Sequence, residues 1–196
     1  MSWTGRTAAE APPGSYPRGE QWEAVLDQVE FATETQARDC SYWTGGALAS
    51  SSGAETAFVA WTADKSFTFY NGRIYELRVQ LAVYSAAAAF GTVERVQVNI
   101  RKAVNSTVAQ LLGSALLETQ GTGSSGATVK GFSAYIANQT GGDLSGVHLG
   151  LTVNRVTGAA ANTLYGDASF PASIVPVDVG SVADNPNLAA LAIAIT

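Results

Sequence analysis

The run RIYELRVQLAVY, Arg73 to Tyr84, decides the class of fold. Tyr75, Leu77, Val79, Leu81 and Val83 recur at every second position, with Glu76, Arg78 and Gln80 between them. Successive side chains of a strand point to opposite faces, so this period places the first set on a core and the second toward solvent. The same period returns downstream. TVERVQVNIRK sets Val96, Val98 and Ile100 against Arg95, Gln97, Asn99 and Arg101, and VHLGLTVNRV continues through Val147, Leu149, Leu151 and Val153. ALLETQ reads as a strand, and Phe132, Ala134 and Ile136 alternate within ATVKGFSAYIANQT. In ASIVPVDVG, Pro176 lacks an N–H and assigns the strand to an edge or a bulge. Asn71-Gly72 joins SFTFY to the opening run and predicts a hairpin. Strands at this density, separated by SSG, NG, TGSSG, TGGD and TGAAAN, predict a mainly β fold, an antiparallel β-sandwich of jelly-roll style.

The two ends of the chain differ from this pattern. Residues 1 to about 18 contain Pro12, Pro13, Gly14 and Pro17, which resist helix and sheet alike and predict an extended N-terminal arm. In GEQWEAVLDQVEFATETQAR, Trp22, Val25, Leu26 and Val29 fall at helical spacing while Glu20, Glu23, Asp27, Glu30 and Glu34 fill the other faces. That predicts one amphipathic helix of about five turns, with acids toward the end that its dipole favours. At the other terminus NLAALAIAIT follows the breaker DNPN and reads as a last strand or an apolar arm. Left bare it would invite aggregation, so its own domain or a neighbour should cover it. The division expected is residues 1–45 for arm and helix, 46–182 for the sandwich and 183–196 for the C-terminal strand or arm.

Composition narrows the function. At 196 residues there is room for one sizeable core, or one domain and an arm. Three lysines, scattered arginines and a net charge of −5 argue against a nucleic-acid partner, which would need clustered cations. No segment has the ~18 apolar residues of a membrane span. Cys40 is the single cysteine, so no internal disulfide can form. MSWTGRTAAEAPPG lacks the apolar centre of a signal peptide, and the chain is expected to be made in the cytoplasm of its host cell without one.

The chemical motifs are weak. GTGSSG, Gly121 to Gly126, fits the dinucleotide fingerprint G-x-G-x-x-G, but a strand pattern rather than a helix follows it. No helix N-terminus would then face a phosphate, and a hairpin turn is the expectation. No kinase catalytic loop follows either. His148, the only histidine, falls on the face opposite Val147 and Leu149 and is expected at the surface or an interface. Neither His148 nor Cys40 has partners at metal-ligand spacing. Asp143, Asp167, Asp178 and Asp184 never assemble as a calcium loop and read as turn caps. The sequons at Asn105 and Asn138 read as chance matches. No catalytic residue, metal ligand or cofactor is therefore expected. Trp3 and Trp43 flank the arm and helix in segments without a core pattern: either they pack locally, or they anchor the N-terminal region on another protein. Candidate partner-binding residues are Trp3, Tyr16, Trp22, Val25, Leu26, Val29 and Trp43. Low charge and small-residue faces also predict self-association.

GRIYELRV (72–79) and PASIVPVDVG (171–180) resemble the opening and closing strands of small β-sandwich virion proteins from tailed phages of actinobacteria. Those proteins show a GR-x-Y-x-V strand and a P-x-x-I-x-V-x-D-x-G strand; Leu77 and Pro176 stand here where the patterns have valine. The resemblance covers residues 50 to 180. It implies a non-enzymatic, oligomeric protein on the virion exterior: a head decoration protein, a head fibre or a minor tail protein, with a homotrimer the expected form. The implied partners are the major capsid protein or another virion protein. For a tail-associated carbohydrate- or receptor-binding module, the partner would be a host-surface glycan.

Overall fold

The computed structural model describes residues 40–43, 46–50, 53–58, 65–84, 93–104, 106–120, 128–157, 163–166, 169 and 171–196. The expected arm and amphipathic helix, with Trp3, Tyr16, Trp22, Val25, Leu26 and Val29, lie outside the described residues, as does GTGSSG. What is described is a mainly β fold in antiparallel sheets, as the two-residue period predicts.

The opening run is β5 (Arg73–Tyr84), the middle of the larger sheet. One edge of it pairs with β8 (Thr128–Asn138). Its other edge pairs with β12 (Ala172–Ser181) and, past the end of β12, with β11 (Thr163–Gly166). Two short strands, β1 (Ser41–Trp43) and β2 (Gly46–Ser50), pair with β12 and β11 respectively and border the sheet on that side. In the second sheet β3 (Thr56–Ala57), β10 (Gly150–Thr157), β6 (Val93–Arg101) and β7 (Leu111–Gln120) lie in that order. A two-stranded ribbon joins β4 (Phe67–Phe69) to β9 (Leu144–Val147).

The inner faces are those the alternation marks. Leu77, Val79, Leu81 and Val83 of β5 share one buried cluster with Val96, Val98 and Ile100 of β6 and with Leu151 and Val153 of β10. Each such side chain contributes about 1.5–3 kcal/mol when fully withdrawn from water. At Gly113 the two layers are in close contact: a Cβ there would collide with the Ala134 side chain of β8, so only glycine fits.

Several expectations are corrected. Asn71-Gly72 is a turn, but the strands beside it are not a hairpin: β4 pairs with β9, while β5 enters the large sheet. GTGSSG likewise separates strands of different sheets, β7 pairing with β6 and β8 with β5, so its flanks do not form a hairpin. VHLGLTVNRV is two strands, broken at His148-Leu149. Ser41–Trp43, on the arm side of the boundary expected near residue 45, pairs with β12. Pro176 sits opposite Leu77, two residues past Ile174, where the pairing with β1 ends, so no described strand pairs with it on that side. The tail divides into α1 (Pro186–Leu191) and β13 (Ile193–Ile195). Pro186 is harmless in a first helical turn, where its N–H would have no partner.

The C-terminal strand closes the side of the sandwich. β13 pairs in parallel with Ile136–Asn138 of β8, and Ile195 enters the core. Gln110 Nε2 donates to the Ala194 carbonyl at 2.7 Å, and Gln110 Oε1 accepts the Thr196 N–H at 3.1 Å. A side-chain amide thereby stands in for the peptide of a neighbouring strand and satisfies part of an open edge.

Candidate functional site

Three polar assemblies and one cleft carry the chemistry of the described residues. The first joins the two strands quoted for the resemblance. Arg73 Nε and Nη2 donate to Asp178 Oδ2 and Oδ1 at 3.0 and 2.7 Å, a two-pronged pair whose carboxylate side chain is only 4% exposed. Asp178 Oδ1 also accepts the Gly180 N–H at 2.9 Å. Gly180 has φ +134°, a backbone that a side chain would strain, at the point where the β12–β5 register shifts. The G-R and D-x-G elements are therefore two halves of one clasp. Tyr75 pairs with Asp178 across the strands. Burial pushes its phenol up to about 12, against the pull of the Tyr70 N–H that its oxygen accepts at 2.8 Å.

The second assembly lies on the outer face of the four-stranded sheet. Arg101 donates to both Glu55 oxygens at 2.8 Å, Asn99 Nδ2 to Oε1 at 2.9 Å, and Thr152 Oγ1 to the same Oε1. Burial alone would raise the Glu55 carboxyl. The bonds from Thr152, Arg101 and Asn99, with the guanidinium charge, outweigh it and hold the group below its usual value. A carboxylate this occupied has little capacity left to take a proton in a reaction. Its role is to fasten the segment before β3 to the sheet.

The third is a polar knot at the end of the sandwich. Fully buried Asn138 donates through Nδ2 to the Phe69 carbonyl at 2.7 Å and the Gly142 carbonyl at 2.9 Å, and accepts the Thr140 N–H and hydroxyl through Oδ1. A glycan cannot be attached to an amide so placed, which disposes of that sequon; Asn105 lies outside the described residues. Asp143 Oδ1 accepts the Asn71 N–H and Asp184 bonds Ser181, so both cap turns as expected. Asp178 does so as well, accepting the Gly180 N–H, and is in addition the clasp partner of Arg73. Asp167 lies outside the described residues.

The cleft, of about 600 Å³ and open to solvent, runs along β9 and is lined by residues 102–104 and 143–148. His148 is half-buried there, its Nδ1 2.9 Å from the Lys65 carbonyl. A carbonyl only accepts, so Nδ1 carries the hydrogen. Among the described residues no cluster of His, Cys, Asp or Glu could hold a metal ion. Trp43 is half-buried against the core cluster. Of the candidate anchors it alone is described, and there it packs locally. The sequence offered no cue for the Glu55 assembly: Glu55 precedes Asn99 by 44 positions, and only the fold brings them together.

No protein-family model matches the chain, and no curated protein matches it in sequence. Among solved structures, a chain of infectious bursal disease virus, Gx strain, is similar at a TM-score of 0.32 and 9% identity, covering 74% of this chain and 30% of that one. A chain of the Gt strain gives a TM-score of 0.28 and 9% identity, covering 75% and 37%. The present chain thus corresponds to about a third of the length of those neighbours. Similarity this slight assigns neither a family nor a role. No helix among the described residues is long and apolar enough to cross a membrane.

Proposed function

We propose that this chain is a non-enzymatic structural protein of a phage virion, a capsid decoration or head-fibre protein on the particle exterior. The region before Asp39 attaches it to the major capsid protein or another virion protein, and the sandwich projects outward, with a homotrimer as the working form. One observation supports this most directly. The two stretches that resemble phage virion proteins are neighbouring strands, and their motif residues Arg73, Asp178 and Gly180 form one clasp. The resemblance therefore falls on a coherent structural unit rather than on two unrelated strands. On its outer face the large sheet also carries Ser133 opposite an exposed Arg78, and Gly131 and Ser173 opposite Gln80, small residues that leave room for a neighbouring subunit. A glycan-binding module on the tail is the second reading, but the described lining of the cleft includes no Trp, Tyr or Phe on which a sugar could stack.

The deciding experiment locates and counts the chain in purified particles by cryo-electron microscopy and quantitative mass spectrometry. A symmetric array on the head is expected. A few copies at the tail tip would favour the glycan-binding reading, and absence from particles would overturn both. A chain beginning at Asp39 keeps β1 whole and is expected to stay folded yet lose particle binding.

A further inference from the structure

The segment after β12 is tied at both ends and loose between them. At its root the Val182 N–H donates to the Gly72 carbonyl at 2.8 Å, and Asn185 Nδ2 to the Ser181 carbonyl at 3.1 Å. At its far end β13 pairs with Ile136–Asn138, Ile195 is sealed in the core, and Gln110 holds Ala194 and Thr196. Lys102 Nζ also donates to the Thr196 carbonyl. Between these anchors lies α1, six residues of which none is buried, without a side-chain cap, an acid in its first turn or a base in its last. A helix so short does not hold itself together in water. It persists because its ends are fixed. Unwinding it to extended chain would lengthen the connection by about 11 Å.

The receptor for β13 owes nothing to that connection. Its parts, Lys102, Gln110 and Ile136–Asn138, come from β8 and from the turn between β6 and β7. In the large sheet β12, β5, β8 and β13 follow one another, so the tail crosses two strands to reach it, a span of about 14 Å. An identical tail from a neighbouring copy fits the same receptor. Around the docked strand apolar side chains stay in water: Leu191 and Ile193 on the tail, Val108 and Leu111 on either side of Gln110. β7 and β13 are in contact, so the two pairs border one junction. A tail passed between copies across Pro186–Ala192 reaches no further than about 25 Å. A second sandwich held that close meets the junction and covers it.

We propose that the segment Pro186–Thr196 is exchanged between copies. β13 of each copy adds to the β8 edge of the next, where Ile195 fills the core and Gln110 clasps the strand. This names the contact behind the self-association of the proposed function, and rests on that reading. It is tested on purified full-length protein without particles, so that its failure leaves the virion role standing.

Association is read by sedimentation velocity, and circular dichroism checks that each variant folds. Ile195→Ala trims the buried anchor and should weaken association about tenfold; Ile195→Asp would bury a charge and should weaken it about a hundredfold. Gln110→Glu sets a carboxylate oxygen against the Ala194 carbonyl and should also cost about tenfold. The decisive step mixes two impaired proteins at a concentration where each alone is monomeric. Ile195→Asp keeps a sound receptor and Gln110→Glu a sound tail, so together they should form a heterodimer. Should the aspartate variant not fold, Ile195→Ala takes its place. A peptide of residues 186–196 at about millimolar concentration should dissociate the wild-type oligomer, and the same peptide carrying Ile195→Asp should not. A monomeric wild type, an oligomer indifferent to Ile195→Asp and to the peptide, or two folded variants that stay apart when mixed would each overturn the exchange. In the last two cases the copies meet elsewhere, and the virion reading is untouched.

Discussion

The two arginine–carboxylate pairs do different work, although both are two-pronged and largely withdrawn from water. Arg73 and Asp178 join β5 to β12, strands already held by a ladder running from Ser173↔Gln80 to Ser181↔Arg73. There the pair fixes where the ladder shifts and where the core ends. Arg101 and Glu55 hold a segment with almost no ladder: β3 is two residues long and pairs only with Thr152 and Val153. There side-chain bonds do what backbone bonds do elsewhere. The more deeply buried pair should cost more when broken. The other should matter more for local order.

The largest effect is expected from Asp178→Ala. It leaves Arg73 without its carboxylate and the Gly180 N–H without an acceptor, at a site 4% and 18% exposed for the two side chains. Breaking such a pair from one side costs about 3–5 kcal/mol, whereas a paired apolar replacement can be nearly neutral. A double variant, Arg73→Met with Asp178→Leu, should therefore recover much of the loss in urea unfolding. No recovery would mean that Asp178 acts mainly on the Gly180 bulge.

Glu55→Gln should cost less, about 1–2 kcal/mol, because the carboxylate is a quarter exposed and an amide still accepts some of the same bonds. The loss should also be local. Hydrogen exchange at the Phe58 N–H, which donates to the Leu151 carbonyl at 3.1 Å, should accelerate more than exchange in β5. The pH dependence has a definite sign. The folded Glu55 value lies below 4.5, so its contribution is complete above that pH and lost as pH falls through the folded value. The gap between wild type and Glu55→Gln should narrow in acid. A gap that stays constant would mean that shape, not charge, fastens the segment.

The same contrast explains what was legible in the sequence. Alternation located β5, β6, β8 and the inner face of β10 because half of each strand is sealed in the core, and burial writes itself into every second residue. Asn99 and Thr152 escaped it. They lie on the outer face, where polar residues are the rule, yet they are 2% and 1% exposed through contacts made far along the chain. Asn71-Gly72 shows the other limit: the dipeptide specifies a turn, but not whether the next strand pairs back or joins another sheet. For the tail, NLAALAIAIT predicts a strand or an apolar arm and gives no sign of the helix. The prolyl start at Pro186 and the open edge of β8 divided it. The cleft had no sequence cue, since its two walls are about forty residues apart in the chain.

Tyr75 offers the finest test of the clasp. Its ring is 6% exposed and meets Phe69 edge-on at 4.9 Å, and its oxygen accepts the Tyr70 N–H. Burial is the main cause of its raised value, and the Asp178 charge adds to it while Arg73 opposes it. Tyr75→Phe at neutral pH removes one accepted hydrogen bond and should cost about 1 kcal/mol. The alkaline limb is more telling. The unfolded phenol loses its proton near 10 and the folded one at about 12, so the folded state holds a proton that the unfolded chain has released. Stability should therefore be undiminished by this group below pH 10 and fall as pH rises toward 12, and Tyr75→Phe should flatten that fall. Phenolate absorbance in the intact fold should show a late-titrating component that disappears in the variant. In Asp178→Asn, which keeps the shape but removes the charge, the same tyrosine should titrate earlier. If it titrates unchanged there, burial alone sets its value, and the clasp and the phenol are independent.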